Sequence, residues 1–190
     1  MQIKILIYEV KVMHLKRLNR TILRLFFCLF CIVILQLISL AAAEAETVKF
    51  RIFTYVTRLE SMPIGFVDAP TNILCERHGY INYEDGEMAT FLSRATGKNS
   101  IQSGTRDGYA LITYSDNSTS VFEWDLEFWA NEVNQLKTFT GSGKFINGSG
   151  RYVGIQGEVT LTGQEVKPFP GESAAGAYFD VTATYSLPAN

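Results

Sequence analysis

The feature of this 190-residue chain that most constrains its fold is an alternation of apolar and polar side chains with period two. It runs from Thr47 to near the C-terminus and is broken by Gly, Asn, Asp or Pro at intervals of about ten residues, the pattern of an all-β sandwich or barrel. Successive side chains of a strand point to opposite faces, so alternation separates a core face from a wet one. Ser120–Ala130 shows this most clearly: Phe122, Trp124, Leu126, Phe128 and Ala130 share one face, and Glu123, Asp125 and Glu127 the other. Ala177–Leu187 repeats the scheme, with Ala177, Phe179, Val181, Ala183, Tyr185 and Leu187 opposite Asp180, Thr182, Thr184 and Ser186. Val48–Val56, Ile73–Tyr83, Glu87–Arg94, Tyr109–Tyr114, Leu136–Thr140 and Gly157–Gly163 bring the expected strands to eight, and no long helical pattern competes.

Eight antiparallel strands suit closure into a barrel, which removes the exposed edges of the sheet and leaves a lumen wide enough for side chains or one small ligand. The apolar faces must then point inward, because Glu123, Asp125, Glu127 and Asp180 would be costly to bury unpaired. Phe122, Trp124, Phe128, Phe179 and Tyr185 are therefore the expected lining and the candidate ligand-binding residues, in a lumen that large aromatics tilt towards solid packing. Trp129 falls in the opposite register, at a rim or a subunit contact. Asp85-Gly86 predicts a two-residue type I′ hairpin, and Asp116-Asn117 marks another turn. Ser61–Asn72, Thr96–Gly108 and Gln164–Gly176 are the long connections expected at the barrel mouth.

Residues 1–45 read as a leader outside this fold. Lys4, Lys11, Lys16, Arg17, Arg20 and Arg24 precede Leu25–Leu40, which holds no charge, and Ala41-Ala42-Ala43 and Ala43-Glu44-Ala45 both offer an Ala-x-Ala cleavage pattern. Basic, apolar and small-residue regions in that order are those of a secretory signal peptide, with Met1 or Met13 as the start. The alternative is an uncleaved anchor through residues 25–43, which approach the ~20 apolar residues that cross a bilayer as a helix. In either case basic residues ahead of the apolar run send residues 46–190 across the membrane, so the expected location is extracytoplasmic, secreted or periplasmic.

Residues 46–190 keep 11 of the 17 basic and 17 of the 19 acidic residues, a formal charge of −6. No basic stripe remains to track phosphates, which argues against nucleic acid as a partner. Cys28 and Cys31 fall in the leader, leaving Cys75 to be buried as a small apolar residue in a fold that must stand on packing. The only acid–base cluster is Glu76, His78 and Tyr80, which share one strand face: a carboxylate beside an imidazole could transfer protons if it faced an apolar interior, and meets solvent if it faces out. Glu76 and His78 are thus the candidate catalytic residues. One His and one Cys make no zinc site, and Gly141-Ser142-Gly143-Lys144 lacks the strand-to-helix context of a phosphate loop, so neither metal nor cofactor is expected.

Phe145–Val159 carries Asn147-Gly148-Ser149-Gly150 followed by Tyr152, a small residue and a further strand. This resembles the late hairpin of the allene oxide cyclase and dirigent-protein barrels, where a Gly-Gly-Ser/Thr-Gly turn precedes an aromatic residue, and the chain looks like a small exported bacterial member of that superfamily. The resemblance implies an eight-stranded barrel that assembles as a trimer; none of those proteins' cavity or acidic residues can be matched here. Two functions follow. The first is a non-enzymatic exported barrel that binds a small apolar ligand or acts through its surface, because aromatic lining is plentiful and catalytic groups scarce. The alternative is a cofactor-free cyclase or isomerase that steers a reactive intermediate by shape.

Overall fold

In a computed structural model the described residues run from 45 to 188, except 64, 67–68, 101, 169 and 171–175; the leader, with Cys28 and Cys31, lies outside them. Eight antiparallel strands form one closed barrel in chain order: β1 Glu46–Pro63, β2 Thr71–Tyr83, β3 Met88–Asn99, β4 Ser103–Tyr114, β5 Thr119–Ala130, β6 Lys137–Ser149, β7 Gln156–Val166 and β8 Gly176–Ser186. β1 closes the ring by pairing with β2 on one side and β8 on the other, so no strand is left with an unpaired edge.

The inward faces are those that alternation predicted. Phe122 and Phe128 on β5 are each 1% exposed, and Phe179, Val181, Ala183 and Tyr185 on β8 are buried. Burying such a side chain contributes about 1.5–3 kcal/mol, which is why the apolar set fixes the direction of each strand's pleat. Two wall glycines make room for the largest rings: a Cβ at Gly104 would lie 2.5 Å from Cζ of Phe128, and one at Gly163 2.5 Å from Cδ1 of Phe179.

The turns depart from expectation in one respect. A type I′ hairpin needs positive φ at both central residues, yet at the β2–β3 turn only Gly86 (φ +89°) has it. Glu84, Asp85 and Gly86 form a three-residue loop between paired Tyr83 and Glu87, with Gly86 N–H donating to the Tyr83 carbonyl and Asp85 Oδ1 accepting from Glu87 N–H. Ser115, Asp116 and Asn117 repeat the design between β4 and β5, with Asn117 at φ +63° and Asp116 Oδ1 accepting from Ser118 N–H. An Asp that folds back on the backbone two residues on stabilises this longer loop.

Most strands are longer than alternation indicated. β3 and β4 pair through Asn99 and Gly104, so most of Thr96–Gly108 is sheet rather than loop. β6 runs to Ser149, placing Gly141–Lys144 in mid-strand and Asn147 on the strand rather than in a turn. Glycines and threonines blur the hydrophobic pattern there, while main-chain pairing continues regardless.

Candidate binding cavity

One end of the barrel, where the β2–β3, β4–β5 and β6–β7 connections lie, is filled by aromatic side chains. Tyr152, in the 3-10 turn Gly150–Tyr152, stacks on Tyr114 with ring centroids 4.4 Å apart, and Tyr185 meets it edge-on at 6.1 Å. Phe50 lies 4.8 Å from Tyr83. The hydroxyls of Tyr83 and Tyr114 share a hydrogen bond of 2.9 Å, Tyr114 also reaches Ser120 Oγ at 3.2 Å, and Tyr185 OH donates to Glu46 Oε2 at 3.0 Å. Burial pushes the Tyr83 and Tyr152 phenols far above their usual range and that of Tyr185 up to about 12. Arg151 covers the stack from outside, its Cζ 4.7 Å from the Tyr114 centroid and 5.0 Å from that of Tyr152, held by Glu87 and by Asp116 at 3.8 Å. Tyr152 thus covers the core at this end, and outside the ring cluster lies a cleft of about 300 Å³ bordered by Glu46, Asp85, Glu87 and Arg151.

The opposite half is not filled in this way. A cavity of about 80 Å³ lies inside it, with Ile52, Phe91, Phe122, Trp124, Leu126, Phe139, Leu161 and Phe179 as its apolar walls. Phe122, 5.9 Å from Phe145, links this wall to the plug, where Phe145 meets Tyr185 at 5.9 Å, while Phe139 and Phe179, 5.2 Å apart, both face the cavity. The lumen is therefore closed by side chains over part of its length and open over the rest, a division between the packed and the ligand-sized lumen that eight strands allow.

Four ionisable side chains project into this half, and the sequence reading passed over all of them. Arg77 continues the inward row of Ile73 and Cys75; Arg106 continues that of Ile112, Ala110 and Gly108; Lys137 precedes inward Phe139; Glu165 follows Leu161 and Gly163. The signal was present, since each falls on the inward parity of its strand. Alternation alone does not reveal it, because charged residues are rarely buried without a partner and because Arg106 and Glu165 fall in the expected long connections Thr96–Gly108 and Gln164–Gly176.

Their partners are few. Arg77 Nε–H donates to Thr54 Oγ1 at 2.9 Å. Arg106 donates to Asn99 Oδ1 and, at 3.2 Å, to the Thr105 carbonyl, and its Cζ lies 5.0 Å over the ring of Phe128. Lys137 Nζ lies 3.3 Å from Glu165 Oε1 and 5.6 Å over the same ring. Among the described residues Glu165 is the only carboxylate lining the cavity, and no carboxylate lies within 4.0 Å of either guanidinium. Burial lowers the pKa of both arginines, that of Arg106 to about 10, with the charge of Arg77 a further lowering influence on Arg106. Both stay cationic at neutral pH.

The residues singled out from sequence fall in three places. Phe122, Trp124 and Phe179 line the cavity; Phe128 lies beneath Arg106 and Lys137; Tyr185 belongs to the plug at the other end. Trp124 is only partly shielded because it borders empty space. Glu76 and His78 lie on the outer wall, 3.2 Å apart, where Arg94 donates to Glu76 Oε2 at 2.8 Å and holds that carboxyl below its usual range. Trp129 is half exposed on the same outer side of β5 as Glu127. Cys75 is buried and borders the cavity.

No family model and no curated protein matches the chain. Among solved structures it is similar to a conserved protein of unknown function from Rhodopseudomonas palustris, at 12% identity and a TM-score of 0.47 over 75% of this chain and 97% of that one. Two pterocarpan synthase dirigent proteins follow, at 11% identity and TM-score 0.43 over 78% of this chain and 96% of theirs, and at 10% and 0.42 over 75% and 97%. The eight-stranded closed barrel that the resemblance implied is the one that the strand pairing forms.

Proposed function

We propose that this protein is an exported, non-enzymatic barrel that binds a small apolar molecule in the unplugged half of its lumen. The observation that carries this reading is the cavity of about 80 Å³ walled by apolar and aromatic side chains and backed by a tyrosine plug. A rigid barrel retains this space because its walls are tied by main-chain hydrogen bonds and cannot collapse inward, and its aromatic and aliphatic side offers an apolar guest a surface out of water. The ordered basic, apolar and Ala-x-Ala regions of residues 1–45 support export. Trp124 reports the cavity directly. In Trp129→Phe, the remaining tryptophan should shift its emission saturably as toluene is titrated in; an emission unmoved by toluene and by other single-ring hydrocarbons refutes binding in the lumen.

Action through the outer wall is the second reading, favoured by adjacent exposed rings on β1 and β2. Phe53 pairs with Tyr80 and Tyr55 with His78, and Phe53, Tyr55 and Tyr80 are each more than half exposed. Contiguous apolar surface of this kind marks protein contacts, and a second and third copy of this chain are the partners that the expected trimer calls for. Sedimentation should give a trimer that Tyr80→Glu dissociates; a monomer at all concentrations removes it.

A further inference from the structure

We propose that the guest of this lumen is an acid: a single-ring carboxylate whose ring lies among the aromatic walls and whose carboxylate sits between Arg77 and Arg106. This rests on reading the lumen as a binding cavity and goes beyond it by naming the polar end of the guest. Residues 46–190 carry a formal charge of −6, yet among the described residues the cavity is lined by three cations, Arg77, Arg106 and Lys137, and one carboxylate, Glu165. Glu165 is already committed to Lys137 at 3.3 Å. The two guanidiniums are left with neutral partners, Thr54 for one and Asn99 and a main-chain carbonyl for the other.

Charged groups out of water are costly unless they meet an opposite charge, and a guanidinium presents parallel N–H pairs that match a carboxylate. Among the described residues no fully enclosed side-chain nitrogen or oxygen lacks a partner. The guanidinium N–H groups that the protein does not use therefore border open space, where a guest can reach them. An anion between the two arginines would also offset their mutual repulsion, adding to the attraction of Glu165, which lies more than 4 Å from either guanidinium. Phe128 beneath Arg106 and Lys137 holds both cations in place by their contact with its ring.

Size sets the rest of the guest. A cavity of about 80 Å³ has room for roughly five to eight water molecules. That volume is smaller than the ~150 Å³ that takes up a benzene ring, so the guest is no larger than a single ring, with its acid group reaching the open side of the space, and a long acyl chain is excluded. The tyrosine plug closes the other end, so the ring must enter towards Phe122 and Phe179 with the acid trailing at the level of Arg77 and Arg106.

The test compares benzoate with benzamide, its neutral counterpart of the same shape, by Trp124 emission in the full chain carrying Trp129→Phe. Benzoate should bind about tenfold more tightly, because a hydrogen bond to a charged group outweighs a neutral one. That preference should vanish as the pH falls below the pKa of benzoic acid, and Arg106→Gln should bring the ratio of benzoate to benzamide affinity down to about one. Arg77→Gln is the second variant should Arg106→Gln not fold, and the comparison of the two ligands needs neither. Benzamide and toluene binding as tightly as benzoate overturns the acid while leaving the apolar cavity intact; no binding of any of the three overturns both. Inorganic phosphate competing with toluene as strongly as benzoate does would overturn the ring-bearing carboxylate in favour of a bare anion.

Discussion

Removing one hydroxyl from the tyrosine plug should cost more than one hydrogen bond, and the excess can be measured. Tyr114 OH bonds both Tyr83 OH, at 2.9 Å, and Ser120 Oγ, at 3.2 Å; Tyr83 is 8% exposed and Ser120 fully buried. Tyr114→Phe keeps the ring, its stack on Tyr152 and the Arg151 guanidinium above it, but strands two buried hydroxyls. Each stranded group costs about 1–3 kcal/mol, so the variant should lose about 3 kcal/mol, or roughly 6–12 °C in Tm for a domain of this size. Tyr83→Phe strands only the Tyr114 hydroxyl, which keeps Ser120, and should cost less. In the double variant Tyr83 no longer needs a partner, so the combined loss should fall short of the sum by about 1 kcal/mol or more. Thermal and urea unfolding of the four proteins, with m unchanged, give the cycle directly. Losses that add within about 0.5 kcal/mol would show that the hydroxyls do not depend on one another, and the plug would then be held by ring packing alone.

Gly150→Val should destabilise by about 1–3 kcal/mol, since its φ of +59° resists a β-branched residue and a Cβ there would lie 2.9 Å from that of Ser118; Thr162→Ser on the exposed face should stay within about 0.5 kcal/mol, and equal melting temperatures would refute the turn. The raised Tyr185 phenol means that the folded state favours its neutral form: the stabilisation is complete below the unfolded pKa of about 10 and lost as the pH rises to about 12. Tyrosinate absorbance of the buried rings should therefore rise together with loss of near-ultraviolet dichroism, and ionisation in a still-native barrel would contradict the burial argument. N-terminal sequencing of protein from its own host should find cleavage after Ala43 or Ala45; an intact Met1 or Met13 on membrane-bound protein establishes the anchor instead.

The eight strands, their inward faces and the turn before Tyr152 were legible in the sequence because each depends on local rules. Period two assigns Phe122, Leu126 and Phe128 to one side of β5 whatever lies beyond it, and the glycines around Tyr152 mark a turn by their backbone freedom. The choice of turn type was less local: Asp85 and Asp116 serve a three-residue loop as well as a shorter one, and the register of the strands they join decides between them. The cavity was beyond reach for a stronger reason. Whether inward side chains fill a lumen depends on which of them reach the same level, and that is set by the stagger of eight strands around the ring together with the bulges between Val56 and Arg58 and between Val121 and Phe122. Alternation places Arg77, Arg106, Lys137 and Glu165 on inward faces one strand at a time. Only closure of β1 on β8 brings three cations from separate strands to a common level with a single carboxylate, because charges far apart in sequence come close only when the barrel is complete.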